Sequence, residues 1–218
     1  MTPNDHSTAL LEAKEIGKKL GRRWVLNNIS FEVKKGQSYL VKGANGSGKT
    51  TLLRTISGIY HPGRGKLLFP DSNKEPRKSK GRICFVEQNS SLYPQLTVGE
   101  NLQLFSKLSG EDVKNASALS EKFSLKEHWN TRLNNCSSGT IRKVSIVRAL
   151  SSNADLILLD EPFNFLDSSS RSTLAELLSD FVCKGGSLVL ASNNDLETYL
   201  SFNEIWTVEE ARVRKEVC

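Results

Sequence analysis

The stretch of residues 43–50, which reads GANGSGKT, constrains this 218-residue chain more than any other feature. The residues before it have the alternation of a strand, and residues 49–59 have the apolar spacing of a helix. Glycines between a strand and a helix let the backbone form a nest of N–H groups that face phosphate oxygens, and the helix adds the positive end of its dipole. The stretch fits the pattern G-x-x-x-x-G-K-[ST] in full and therefore predicts a phosphate-binding loop.

Two side chains of this loop have roles that follow from their chemistry. Lys49 is expected to reach the β- and γ-phosphates of a nucleotide, and the Thr50 hydroxyl is expected to ligate Mg²⁺. A flexible glycine turn is the alternative, but it does not account for the strand, the Lys-Thr pair and the helix together. The predicted nucleotide-binding residues are Gly43, Asn45, Gly46, Ser47, Gly48, Lys49, Thr50 and Thr51.

A second apolar run, LILLDEP at residues 156–162, ends in two carboxylates. Its four apolar residues predict a buried strand, and Asp160 and Glu161 emerge where that strand ends. Asp160 then suits the magnesium side of the site, and Glu161 suits the general base that orients and deprotonates the attacking water. An ordinary turn is the alternative, and the phosphate-binding loop upstream favours the catalytic interpretation.

Composition excludes several other classes of protein. The longest purely apolar stretches have four residues, whereas a membrane-spanning helix needs roughly 20. Residues 1–15 lack the basic start and apolar core of a secretory signal, and four scattered cysteines are expected to be reduced thiols. The net charge of +6 comes from separated basic clusters without interleaved aromatic residues, so we expect a solvated surface and no nucleic-acid partner. Strands that alternate with helices favour a parallel α/β core.

A third motif, NCSSGTIRKVSIVRAL at residues 135–150, directly precedes the carboxylate strand. It resembles the signature helix of ABC-type ATPases, whose usual form is L-S-G-G-Q followed by an A-R-A-L ending. Ser137 and Gly139 occupy the two key positions of that motif. The usual Leu, first Gly and Gln are replaced by Cys136, Ser138 and Thr140.

Two further motifs follow in the order of the same family. CFVEQ at residues 84–88 is similar to the Q-loop, which implies that Gln88 contacts Mg²⁺ and water. NFLD at residues 164–167 is similar to the D-loop and places Asp167 at the family's aspartate. The resemblance covers roughly residues 10 to 210 and implies ATP as substrate, with Mg²⁺ held by Thr50, Gln88 and Asp160.

The resemblance also implies the fold and the assembly. The expected fold is an α/β P-loop NTPase: a single ABC ATPase domain over residues 1–218, with a RecA-like core and an antiparallel β-subdomain over about 10–88 and 154–210. An α-helical signature subdomain is expected over about 90–150. The family forms a head-to-tail dimer, homo- or hetero-, in which Ser137 and Gly139 of one chain act on the γ-phosphate bound to the other.

One departure from the family lies in residues 184–193, KGGSLVLASN, where the family has a switch histidine at the end of a strand. Aligning Ser192 with the usual threonine places Asn193 on the histidine, and Asn194 takes that place if the loop shifts by one residue. Asparagine only forms hydrogen bonds, whereas histidine moves a proton near neutral pH. We expect slow but real hydrolysis because Glu161 is intact; a chain that binds ATP and dimerises but hydrolyses poorly is the alternative.

A second departure concerns the base of the nucleotide. The family usually stacks an aromatic residue on adenine, and the corresponding position holds Leu20, with Trp24 four residues later. Trp24 is the candidate stacking residue, and a core position within its strand is the alternative. If Trp24 does not stack, apolar contact alone holds adenine, and affinity or base selectivity is reduced.

The resemblance implies a separate transmembrane transporter subunit as partner, docked on residues 89–102 through Leu92, Tyr93 and Pro94. The alternative for these three residues is packing within the helical lobe. The expected location is cytoplasmic, peripheral at the inner face of a membrane. The short length, LDEPF and KGG are most similar to haem-exporter ATPase subunits of cytochrome c maturation. A soluble ABC ATPase in cofactor assembly and a catalytically weak regulatory subunit are the alternatives.

Overall fold

The computed structural model describes residues 9–70, 83–88, 91–193, 196 and 198–218. The strands, in chain order, are β1 (Ala9–Leu20), β2 (Arg23–Lys34), β3 (Ser38–Lys42), β4 (Arg64–Leu68), β5 (Ile83–Val86), β6 (Leu156–Asp160), β7 (Ser187–Ala191), β8 (Glu204–Glu209) and β9 (Arg212–Val217). The α-helices are α1 (Lys49–Ile56), α2 (Val98–Ser109), α3 (Val113–Lys122), α4 (Ser138–Leu150) and α5 (Ser168–Cys183). Short 3₁₀ turns lie at Lys126–His128 and Leu133–Asn135.

The strands form two sheets. The larger has the order β5-β6-β7-β3-β8-β9, and it is parallel except for β9, which pairs antiparallel with β8. The smaller is antiparallel, with the order β2-β1-β4. The alternation of residues 24–43, with KKG at 34–36, predicts two strands joined by a tight turn, and β2 and β3 confirm it. The turn carries the chain from the small sheet to the large one. The two strands are therefore not a hairpin.

The large sheet is covered on both faces. Successive side chains on a strand point to opposite faces, and β6 shows this directly: Leu156 and Leu158 pack with α1 and the small sheet, whereas Ile157 and Leu159 pack against the helices. All four side chains are essentially fully buried. Full burial of such a side chain stabilises the fold by about 1.5–3 kcal/mol, which explains the uninterrupted apolar run of this strand.

Helix boundaries follow local sequence signals. Thr97 and Glu100 form a reciprocal capping box at the start of α2, and Gly110 ends that helix in a left-handed conformation. Helix α1 ends at Ile56, three residues before the predicted end at 59, because Gly58 adopts a φ of 77°. Among the described residues no helix is long and apolar enough to cross a membrane.

Candidate nucleotide-binding site

A cavity of about 510 Å³ opens at the carboxyl-terminal edge of the large sheet, where β3, β6 and β7 end. This edge is where open α/β sheets bind ligands. The cavity brings together residues from the phosphate-binding loop, the carboxylate strand and the loop after β7. Its lining residues are Leu20, Val25, Asn45, Gly46, Gly48, Lys49, Thr50, Thr51, Gln88, Asp160, Glu161, Asn164 and Asn193.

The phosphate-binding loop depends on glycine at two positions. Gly43 has a φ of 149°, and a Cβ atom there would lie 2.5 Å from the Val208 carbonyl oxygen. Gly48 has a φ of 118°, and its Cβ would lie 3.0 Å from the side chain of Val25. Within the described part of the chain, the hydroxyl of Ser47 is buried without a hydrogen-bond partner. A buried, unsatisfied donor inside such a loop fits an anionic ligand that accepts from it.

Lys49 begins α1 and is only 7% exposed. Its ammonium group donates to the carbonyl oxygens of Gly43 at 2.7 Å and Ala44 at 3.3 Å, and to Oδ1 of Asn193. Burial lowers the pKa of Lys49, and the nearby carboxylates of Glu161 and Asp160 oppose that shift. The lysine is thus held inside the loop by neutral acceptors, with two acidic groups close by.

Thr50 and Asp160 meet at the wall of the cavity. The Thr50 hydroxyl donates to Oδ2 of Asp160 at 2.6 Å, which joins the first turn of α1 to the end of β6. Burial raises the pKa of Asp160, while the bond from Thr50 and the charge of Arg142 lower it. A hydroxyl and a single carboxylate are hard oxygen donors of the kind that bind Mg²⁺ together with water and substrate phosphates. The residues present therefore fit the magnesium ion that the motifs imply.

Glu161 has an unusual backbone and a buried carboxylate. Its φ of 49° is left-handed, a conformation that costs of order 1–3 kcal/mol in a non-glycine residue and is typical of functional sites. Oε1 accepts from the Asn193 backbone N–H at 3.0 Å, and Oε2 accepts from the Ser192 hydroxyl at 3.4 Å. Burial raises the pKa of Glu161, and the charge of Lys49 opposes that shift. A carboxylate with a raised pKa suits a general base.

Asn193 lies at the centre of this polar network. Besides its contacts with Lys49 and Glu161, its Nδ2 donates to Oδ1 of Asn45 in the phosphate-binding loop. Asn194, the other sequence candidate for the switch position, lies outside the described residues. The structure places Asn193 against both Lys49 and the candidate base Glu161.

The two remaining predicted contacts at the cavity have different outcomes. Gln88 lines the wall and is exposed. Trp24, predicted to stack on adenine, does not line the cavity: its ring lies between Lys19 Nζ at 4.6 Å and Arg64 Cζ at 4.7 Å. Leu20 and Val25 form the cavity wall instead. Neighbouring residues on a strand face opposite ways, so Trp24 faces away where Val25 faces in.

The signature residues lie apart from this cavity. Ser137 caps α4 by accepting from the Thr140 N–H at 3.1 Å. A Cβ atom on Gly139 would lie 2.7 Å from the Phe165 carbonyl oxygen, so this close approach requires glycine. Neither residue lines the nucleotide cavity of its own chain.

Asp167 of the predicted D-loop also lies outside the cavity, at the start of α5. It caps this helix by accepting from the Ser170 N–H at 2.8 Å, and it pairs with Lys143 of α4 at 3.1 Å. Hydrogen bonds from Ser169, Ser170 and Lys143 hold the pKa of Asp167 well below its usual range. The Asp167 carboxylate therefore links α4, the signature helix, to α5, the helix that follows β6.

Arg142 is a residue whose role at the site is missed by sequence reasoning. It is 5% exposed, and its guanidinium donates to the backbone carbonyl oxygens of Glu87 at 2.7 Å, Pro162 at 3.4 Å and Asp160. Burial lowers the pKa of Arg142 to about 10, so it stays charged at neutral pH. Asn164 is also missed, although it lines the cavity three residues after Glu161.

Comparison with known proteins identifies related chains. Residues 26–164 match the family described as ABC transporter. Nod factor export ATP-binding protein I of Burkholderia orbicola (strain AU 1054) is 31% identical, over 94% of this chain and 70% of its own length. Linearmycin resistance ATP-binding protein LnrL of Bacillus subtilis (strain 168) is 30% identical, over 94% of this chain and 68% of its own length.

Solved structures show the same fold. A structure described as the ATP-binding subunit of an ABC transporter has a TM-score of 0.86 at 26% identity, and the match covers 95% of this chain and 90% of that one. A dimeric ATP-binding cassette in a post-hydrolysis state, bound to ADP and Pi, has a TM-score of 0.83 at 25% identity, with coverage of 95% and 98%. The predicted P-loop NTPase fold class is confirmed.

Proposed function

The chain belongs to the ABC transporter family as an ATP-binding protein, and on this premise we propose that it hydrolyses ATP to power export through a separate membrane partner. The arrangement that carries the proposal is the convergence of Lys49, the Thr50–Asp160 pair and Glu161 on one cavity. Export is the direction named for its Nod factor relative, and the resistance named for the Bacillus relative agrees with it.

Each of these side chains has a step in the proposed reaction. Lys49 binds the β- and γ-phosphates, and Glu161 takes a proton from the water that attacks the γ-phosphate. The Asn193 N–H and the Ser192 hydroxyl orient the Glu161 carboxylate for that transfer. Mg²⁺ bound by Thr50, Asp160 and Gln88 would neutralise phosphate charge. The remaining proposed nucleotide contacts come from the backbone of residues 43–51.

We further propose that two ATPase chains act together. Ser137 and Gly139 begin helix α4, where backbone N–H groups and the helix dipole favour a phosphate, yet they do not line the cavity of their own chain. A head-to-tail dimer would bring them to the γ-phosphate bound by a second chain, which is either another copy or a related ATPase. Asp167 would lie near that interface through its bond to Lys143.

Of the three residues predicted to contact the membrane partner, only two remain in the proposed docking surface. Leu92 is only 7% exposed and packs in the core beneath the helices, whereas Tyr93 and Pro94 are exposed. Asn101 fixes the Tyr93 backbone by accepting its N–H at 2.8 Å and donating to its carbonyl at 3.0 Å. Tyr93 and Pro94 form an exposed, partly apolar surface that would bind this partner, and the proposed location is the inner, cytoplasmic face of a membrane.

Asn193 favours one second candidate function, that of a catalytically weak regulatory subunit paired with a more active ATPase. Its side chain forms hydrogen bonds but does not exchange protons. We expect slow hydrolysis, because Glu161 is present and oriented. The narrower assignment to haem exporters stays a prediction from the length and motifs of the chain.

Steady-state ATP hydrolysis by the purified chain tests the proposal. We expect activity above the background of Glu161→Gln, which removes the base and lowers kcat by about 10²–10⁴-fold. Asn193→His is expected to raise kcat, because it restores a titrating group. Lys184→Ala is the matched control, since Lys184 is exposed and pairs with Asp180 on α5. If the unmodified chain binds ATP but is no faster than Glu161→Gln, it is not an autonomous ATPase: it is either a regulatory subunit or a subunit that hydrolyses ATP only when its membrane partner is docked.

A further inference from the structure

Every N–H donor of the Lys49 ammonium group already has an acceptor. An ammonium carries three N–H donors, and Lys49 uses them on Gly43, Ala44 and Asn193. A phosphate oxygen that binds this lysine must therefore displace one of these three acceptors.

The three acceptors come from two segments of the chain. Gly43 and Ala44 belong to the phosphate-binding loop itself, which encloses the β-phosphate common to ATP and ADP. Asn193 comes from the end of β7, and its own N–H contacts Glu161, the candidate base for attack on the γ-phosphate. Because the γ-phosphate under attack must lie beside that base, we expect Asn193, rather than Gly43 or Ala44, to be next to the phosphate that only ATP carries.

We propose that Asn193 determines nucleotide specificity by competing with the γ-phosphate for Lys49, and that it thereby lowers the affinity for ATP relative to ADP. ATP must break the bond between Lys49 and the Asn193 amide, whereas ADP leaves it intact. The inference rests on the proposed function, because it requires that the cavity bind these nucleotides.

Other contacts hold the Asn193 side chain in its competing position. Its Nδ2 donates to Asn45 in the phosphate-binding loop, and its backbone N–H donates to Glu161. Turning the amide away from Lys49 therefore also disturbs the bond to Asn45. In addition, Lys49 is buried, and a buried charged donor that loses an acceptor pays a desolvation cost unless the phosphate replaces that acceptor well.

The test is the ratio of ATP affinity to ADP affinity, measured by calorimetric titration with Mg²⁺ present. Every protein carries Glu161→Gln, which prevents hydrolysis and keeps an oxygen that accepts the residue 193 N–H. Asn193→Ala is expected to raise the ATP-to-ADP affinity ratio about fivefold to tenfold, with ADP affinity nearly unchanged. Asn115→Ala, which removes an exposed amide on α3 outside the cavity, is expected to keep the original ratio.

The direction of the change separates the possible roles of the residue. If Asn193 mainly donates to the γ-phosphate, its removal lowers the ratio, and the proposal is wrong. An unchanged ratio overturns it equally, as does a rise of the same size in Asn115→Ala. If neither nucleotide binds to any of the proteins, the proposed function fails as well, an outcome distinct from failure of the competition alone.

Discussion

The cavity has two different ends. At the end lined by the phosphate-binding loop, which we call the phosphate end, polar side chains from three elements are joined by hydrogen bonds, whereas Leu20 and Val25 form the end expected to hold adenine, which we call the base end. Lys49 and Glu161 are 7% and 9% exposed, but Leu20 is 44% exposed. Buried, fixed donors and acceptors interact more strongly than exposed apolar contacts. From this difference we expect a site that selects for phosphates and Mg²⁺ far more than for the adenine base.

The largest expected effect comes from removing the charge at the phosphate end. Lys49→Ala is expected to weaken ATP binding by about 100-fold or more, because charged hydrogen bonds each contribute about 1.5–3 kcal/mol. Equilibrium binding of a radiolabelled nucleotide measures this loss. Lys184→Ala, at the residue directly after α5, should bind normally. A small loss in Lys49→Ala would show that the phosphate end does not dominate.

The second expected effect is a pH dependence set by the phosphate end alone. Burial raises the pKa of Glu161, and a general base works only when deprotonated. The kcat is therefore expected to fall tenfold per pH unit below that pKa, starting at a higher pH than an ordinary glutamate would show. Asn193 does not titrate and adds no second inflection to the pH profile of kcat, whereas Asn193→His should add one near pH 6.5. An inflection that persists in Glu161→Gln would assign the titration to another group.

The smallest expected effects lie at the base end and come as a pair. Leu20→Tyr places an aromatic ring on the cavity wall and is expected to tighten ATP binding about threefold to tenfold through stacking. Trp24→Ala is expected to change ATP affinity by less than about twofold, because its ring packs between Lys19 and Arg64. Fluorescence titration distinguishes them. A large loss in Trp24→Ala would restore this residue as the adenine contact.

The phosphate end could be predicted from sequence because its residues lie in short, continuous segments of the chain. Residues 43–48 form one continuous loop that leads directly into α1, and Asp160 and Glu161 lie at the end of a buried strand. The sequence pattern therefore specifies both their identity and their position at the end of a parallel strand.

The residues at the base end could not be predicted from sequence in this way. The pairing of β1 with β2 shifts register several times between Ala13 and Lys19. Each shift changes which side chains face the cavity, so alternation does not tell whether Leu20 or Trp24 lies there. Strand β9 also escaped prediction, since its residues are mostly exposed and charged. The three carbonyl contacts of Arg142 join segments far apart in sequence, which no local pattern reveals.

Those contacts of Arg142 have a mechanical consequence. If α4 rotated on its own, the carbonyls of Glu87, Asp160 and Pro162 would lose a charged donor in a place that excludes water, which is costly. The signature helix and the end of strand β6 should therefore move as one stiff body. A displacement of α4 would then be transmitted directly to the backbone beside Glu161, without any rearrangement of the side chains between α4 and Glu161.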